Sequence, residues 1–354
     1  MKRLGLSWLD VLLVLVPVAI ALHFAAPDRH VLVFTVSCLA VVPIAGLMGR
    51  ATEVVASRVG TALGGFLSAA LGNAAELILG LAALRAGEVE VVKASITGSI
   101  IGNLLLVFGA ALVAGGWRRE KQRFNATAAG AGNATLFLAA VALVLPALQH
   151  HGADPHPETR LPTSIAIAVV LVVLYLASLL FSLRTHAHLY PGEEEEEEGH
   201  GPRWSTRTAV LVLVGATAAV AVVSEVLVES LEGASASLGL SRVFVGVVVV
   251  AIVGNAAEHS TAVVMALRDK MDLALQIAAE SSKQVALFVA PVLVFAGLVL
   301  GQPMDLVFSP LEVVAVGVSV GAVTLVALDG ESNWLEGAML VAVYAVLGVS
   351  FYFA

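Results

Sequence analysis

At 354 residues, with 59% hydrophobic and only 13% charged side chains, the chain falls far below the roughly 25% charge of a soluble domain and reads as an integral membrane protein. Its repeated long apolar runs suit helices that cross a hydrocarbon core of about 30 Å, so the fold class is all-α and a barrel of short alternating strands is excluded. A net charge of -8 argues against a nucleic-acid partner, and the single cysteine, Cys38, leaves no intrachain disulfide and no Cys/His zinc spacing.

In chain order the apolar segments predict eleven transmembrane helices, at about 9–26, 31–48, 59–84, 91–114, 127–148, 162–183, 209–228, 243–267, 273–300, 311–328 and 334–353. The basic start Lys2-Arg3 before the first segment also fits a secretory signal, but a first transmembrane helix is the preferred reading. Short polar connections are expected at 50–58 and at 150–160, where His150, His151 and His156 read as surface loop residues. The one sizeable hydrophilic stretch, 184–207, carries the acidic run Glu193, Glu194, Glu195, Glu196, Glu197 and Glu198, flanked by His186, His188 and His200. With the N-terminus inside, internal segments hold thirteen lysines and arginines against five outside, as short cytoplasmic loops require. The N-terminus and the acidic linker are then cytoplasmic and the C-terminus external.

The third segment contains Gly72-Asn73-Ala74-Ala75-Glu76, and the eighth repeats it letter for letter as Gly254-Asn255-Ala256-Ala257-Glu258. A carboxylate in an apolar span costs about 2.5 to 3.5 kcal/mol on insertion scales, so each is by default a functional residue. Gly60, Gly64, Ser68, Gly72 and Glu76 are spaced four apart and predict one helical stripe. Close packing accounts for the small residues but not for the glutamate. The copies lie in the third and eighth spans, five apart in order, so the two helices cross in opposite directions, the mark of an inverted-topology repeat with a site near the midplane. Ser99 follows Glu76 at the interval at which Ser281 follows Glu258, a second matched pair.

Asn73 with Glu76, and Asn255 with Glu258, place oxygens three residues apart on a helix. Hard divalent cations use such sets: calcium takes six to eight oxygens at roughly 2.3 to 2.6 Å from carboxylates, amides, carbonyls and water. Ser99, Ser281, Asn103 and Gln284 add polar oxygens, and no thiolate or imidazole array suggests a soft metal. When the cation leaves, desolvation and mutual repulsion favour protonated carboxyls, so protons and one divalent cation compete for the same groups. A site facing one side at a time turns that competition into exchange. An acidic-pore channel would need a continuous path and is the weaker reading. No nucleophile or resident metal motif suggests an enzyme, and no cofactor is expected.

At these residues the chain resembles the calcium/proton exchanger family of the cation/calcium antiporter superfamily. The resemblance extends to His259, Thr261-Ala262-Val263, Lys270-Met271-Asp272-Leu273-Ala274, Ala286-Leu287-Phe288-Val289-Ala290-Pro291 and the segment from Asp329 to Gly337. It implies a first helix (1–30), a five-helix repeat (31–183), a cytoplasmic acidic linker (184–207) and a second five-helix repeat (208–354). It also implies proton-driven export of cytosolic Ca2+, with Glu76, Glu258, Asn73, Asn255, Ser281 and Gln284 as ion-binding residues. Gly102, Glu280 and Lys283 depart from the family pattern. Glu280 and Lys283, three apart, either neutralise one another or alter ion choice, which leaves exchange of Mn2+ or Na+ as the alternative.

His259 has no counterpart after Glu76, where Leu77 stands, and reads either as a proton-tuning residue or as a structural histidine. The acidic run reads either as a solvated loop or as a regulatory metal sensor for Ca2+ or protons. Glu225, Glu229, Asp329, Glu331 and Glu336 are expected at the interface. The partners are the lipid bilayer, Ca2+ and H+, a homo-oligomer is compatible with the sequence, and a prokaryotic plasma membrane is the expected location.

Overall fold

The computed structural model describes residues 8–59, 61–150, 156–186 and 204–354, so the acidic run, His151, His188 and His200 lie outside the described residues. The described chain is helical except for short connections and one two-residue ladder. In order it forms a 3₁₀ stretch Trp8–Val14 leading into α1 (Leu15–Ala25), then α2 (His30–Ala56), α3 (Thr61–Gly72), α4 (Ala74–Arg85) and α5 (Val89–Ile101). A π-helical turn, Gly102–Val107, joins α5 to α6 (Phe108–Gly116). Strand β1 (Gln122–Arg123), α7 (Ala126–His150), α8 (Arg160–Leu180) and α9 (Thr206–Leu238) follow. Next are α10 (Arg242–Phe244), a π-helical turn Val245–Val250, α11 (Ala251–Gly254), α12 (Ala256–Leu267) and α13 (Met271–Gln284). A further π-helical turn, Val285–Val289, precedes α14 (Ala290–Leu300), α15 (Pro310–Val326), β2 (Glu331–Ser332) and α16 (Trp334–Phe353). Among the described residues seven helices are long and apolar enough to cross a membrane, and the bent segment 242–267 makes an eighth.

The chain divides into two compact units, each drawing on both halves of the sequence. The first comprises Met1–Ala86, Ala177–Leu240 and Val253–Ala257. Here α2 packs along α9, closely enough that a Cβ on Gly233 would lie 2.3 Å from Cγ of His30. Gly239, at φ 66°, ends α9, and the Leu240 amide donates back to the Ser235 carbonyl at 2.9 Å. The polar connection expected at 50–58 is corrected: α2 continues to Ala56, because Arg50 finds a partner inside the unit. Its guanidinium meets the Asp10 carboxylate at 2.5 Å, and the two side chains are 22% and 4% exposed.

The second unit comprises Gly87–Leu176, Ser241–Ile252 and Glu258–Ala354. Its most enclosed segment is Val89–Gly116, which crosses the turn at Val245–Val250 at backbone distance. Only glycine allows this, since a Cβ on Gly98 would lie 2.2 Å from the Val247 carbonyl oxygen. By contrast α8 turns Val169, Val170, Val173 and Leu176 outward, an apolar face suited to lipid. At one end β1 pairs antiparallel with β2, Gln122 opposite Ser332 and Arg123 opposite Glu331, which ties the connection after α6 to the start of α16.

Candidate cation-binding site

Each copy of the pentapeptide breaks its helix at the asparagine. In the first, α3 stops at Gly72, Asn73 takes φ -96° and ψ 26°, and α4 begins at Ala74 with Glu76 in its first turn. In the second, α11 stops at Gly254 and α12 leaves Asn255 at a 60° bend, with Glu258 in its first turn. The continuous stripe predicted from Gly60 to Glu76 is therefore corrected, because Glu76 opens a new helix. A break frees carbonyls at the end of one helix and amides at the start of the next, and the helix start favours a negative charge. Asn73 occupies the N-cap position of α4 without using its side chain as a cap, and its carbonyl accepts from the Leu77 amide at 3.0 Å. Asn73 is 2% exposed and Asn255 is fully buried.

Within the first unit Gly254 of the second copy meets Glu76 of the first. A Cβ on Gly254 would stand 3.4 Å from Cγ and 3.9 Å from Cδ of Glu76, and 3.6 Å from Cδ1 of Leu79. The sequence-distant motifs are thus packed side chain against backbone at Gly254. Both carboxylate oxygens of Glu76 are shielded from solvent. So is Oε2 of Glu258, which has no hydrogen-bond partner among the described residues.

The second unit gathers the other candidates around α5 and α13. Asn103, at the start of the Gly102–Val107 turn, donates from Nδ2 to Oγ of Ser281 at 2.8 Å. Ser99 is buried on α5, and the half-buried Gln284 ends α13 immediately before the Val285–Val289 turn. Such π-helical turns shift the hydrogen-bond ladder by one residue and recur at functional sites. Ser282, which sequence reasoning passed over, is fully buried and donates to the Ala278 carbonyl at 2.9 Å and the Ile100 carbonyl at 3.5 Å. Its adjacency to Ser281 was the available signal. Also unforeseen are the buried contact from Thr97 Oγ1 to Glu312 Oε1 at 2.9 Å and the Lys93–Asp305 ion pair at 2.6 Å. Each joins residues too far apart in sequence for any pattern to link.

Lys283 and Glu280 form the expected ion pair, and the lysine side chain is only 5% exposed. On α13, Lys283 is two residues from Ser281 and so points to a different side of the helix from the Asn103 contact. His259 is half-buried on α12 beside Glu258. His150 is corrected: it is 3% exposed at the end of α7, not a surface loop residue. His156 is exposed and lies 3.1 Å from Glu158, while His186 stacks on Phe181. Glu225 and Glu229 are exposed on α9, paired with Arg85 and His23 at 3.3 Å each. Glu336 completes a capping box with Asn333 at the start of α16, and Asp329 accepts from the Glu331 amide at 3.1 Å. The Lys121 ammonium, by hydrogen bond and by charge, and then Arg123 hold the Glu331 carboxyl below its ordinary range. Among the described residues no group of three or more His, Cys, Asp or Glu side chains is clustered as for a resident metal.

Residues 29–184 and 208–353 both match the family model described as sodium/calcium exchanger protein. A Ca2+/H+ antiporter of Aphanothece halophytica is 45% identical, with 97% of this chain and 95% of the relative covered. One from Bacillus subtilis is 40% identical over 90% of this chain and 91% of its own. Among solved structures, native YfkE superposes with a TM-score of 0.83 at 36% identity, covering 97% of this chain and all of that one. The H+/Ca2+ exchanger CAX, at 17% identity, TM-score 0.73 and coverage of 98% and 91%, shares the fold. With both halves matched and the relatives spanned almost end to end, the chain belongs to the sodium/calcium exchanger proteins, among the calcium/proton exchangers.

Proposed function

We propose that the chain is a secondary active antiporter that exports cytosolic Ca2+ in exchange for H+ by alternating access. Glu76 and Glu258 bind either the cation or protons, and Asn73, Asn255, Ser99, Ser281, Asn103 and Gln284 supply further oxygens. The reading rests on one observation: the repeated pentapeptide breaks its helix twice, places a glutamate in each following first turn, and packs Gly254 against Glu76. Freed carbonyls, amide oxygens and two carboxylates form a donor set that a hard divalent cation accepts. Relatives that are Ca2+/H+ antiporters at 40 to 48% identity support the pair of transported ions.

In this reading the membrane is crossed eleven times, by a first helix and two five-helix repeats of opposite topology joined by the linker 184–207. The excess of lysine and arginine supports a cytoplasmic N-terminus and linker and an external C-terminus. Bacterial relatives support a prokaryotic plasma membrane. The test is Ca2+ flux into sealed inside-out vesicles under an imposed pH gradient. Uptake should follow the gradient and vanish in Glu76→Gln and Glu258→Gln. Uptake indifferent to the gradient, with both variants still active, would overturn the mechanism.

A further inference from the structure

The helix that carries Glu258 in its first turn is held at its other end by a side chain outside the candidate site. Arg119 follows α6 and reaches the last turn of α12. Its Nη1 donates to the Gly115 carbonyl at 2.5 Å and the Ala266 carbonyl at 3.4 Å, and its Nη2 donates to the Leu267 carbonyl at 3.5 Å. Nε of the same guanidinium lies 3.1 Å from Oδ1 of Asp269. The last carbonyls of a helix have no partners within it and carry its negative end, so a forked cation satisfies both needs.

Two further features mark this end as constrained. The chain leaves α12 through Asp269 at φ 66°, with the Lys270 amide donating to the Met265 carbonyl at 3.0 Å. Glycine normally takes that position, and Asp269 is the one non-glycine residue with positive φ among the described residues. Its carboxylate is the partner of the Arg119 guanidinium. Independently, α6 and α12 touch at the backbone, since a Cβ on Gly115 would lie 2.8 Å from the Ala266 carbonyl oxygen.

We propose that Arg119 is a positioning residue for transport: it pins the far end of α12 and so sets where Glu258 is presented to the cation. Nine residue steps of helix, from Glu258 to Leu267, about 13.5 Å at 1.5 Å per residue, carry the constraint. The inference rests on the reading of Glu258 as a cation ligand.

The test compares wild type, Arg119→Ala, Arg119→Lys, Gly115→Ala and Glu258→Gln in Ca2+ uptake by vesicles under an imposed pH gradient, with thermal melting of each purified protein. Arg119→Ala should raise the half-saturating Ca2+ concentration about tenfold, equivalent to about 1.4 kcal/mol, with the maximal rate and the melting midpoint near those of wild type. Arg119→Lys should recover part of the shift, because an ammonium keeps the Asp269 pair but not the fork. Gly115→Ala, whose methyl would stand 2.4 Å from Oε1 of Gln122 and 2.8 Å from the Ala266 carbonyl oxygen, should shift half-saturation in the same direction. Unchanged half-saturation in Arg119→Ala, with Glu258→Gln inactive, overturns the positioning role alone. If Glu258→Gln transports normally, the underlying site assignment fails instead, whatever Arg119 does.

Discussion

Replacing Gly98 by alanine tests whether the second unit depends on backbone contact between α5 and the turn at 245–250. The new methyl would stand 2.2 Å from the Val247 carbonyl oxygen, 2.6 Å from its Cα and 2.7 Å from its carbonyl carbon. All three lie far inside the roughly 3.5 Å of an ordinary contact. The obstacle is main chain, so no rotamer change relieves it, and α5 must move, taking the neighbouring Ser99 with it. Overpacking of a filled core costs about 1 to 3 kcal/mol, and a rigid obstacle puts this site at the upper end, about 3 kcal/mol. Gly102 supplies the control within the same transmembrane segment. A Cβ there meets nothing within 4 Å, so Gly102→Ala should be neutral or gain up to about 1 kcal/mol from helix propensity. The assay is thermal melting in detergent, with Ca2+ uptake normalised to folded protein. Equal melting of Gly98→Ala and wild type, or equal damage from the two substitutions, would refute the close-crossing argument.

Four further outcomes are expected. Arg50→Met should destabilise by about 3 kcal/mol because it strips a buried carboxylate of its counter-charge, and Asp10→Leu added to it should restore most of the loss; additive damage in chemical melting would contradict this. Glu280→Gln should destabilise more than Lys283→Met, since the lysine side chain is 5% exposed and the glutamate 32%, and parallel uptake of Ca2+, Mn2+ and Na+ by Lys283→Met will reveal any role in ion choice. Thr97→Val should cost about 1 to 2 kcal/mol by removing a donor to buried Glu312, whereas Thr97→Ser should melt like wild type. Glu331 has a lowered folded value, so its ion pairs support the β1–β2 ladder above the ordinary glutamate range and are lost as pH falls through that lowered value. Protection of the Phe124 amide against hydrogen exchange should fall in that acidic window, and Lys121→Ala should move the fall to higher pH.

Much of the candidate site was legible because a carboxylate in an apolar run is costly enough to mark itself, and two identical marks name a pair. The spacing from Glu76 to Ser99 and from Glu258 to Ser281 brought in the serines, and the structure adds that Ser281 accepts from Asn103. The Glu280–Lys283 pair could be anticipated because i and i+3 side chains share a helix face. Thr97 with Glu312, Asp10 with Arg50, and Arg119 on the end of α12 carried no such mark. Local periodicity does not encode which distant polar group will satisfy a buried one. His150 was misplaced for a related reason: its neighbours are polar, yet the helix runs on and buries it.

By itself the sequence determined that this is a helical membrane protein, where most of its spans lie, and which two pentapeptides carry paired carboxylates in apolar segments. Hydropathy, charge and exact repetition are local properties, and each is set before the chain folds. Only the tertiary structure decided that the asparagines break their helices, that Gly254 lies against Glu76, and that each compact unit is assembled from both halves of the chain. Those outcomes depend on which backbones can approach within a few ångströms, a matter of packing between segments remote in sequence.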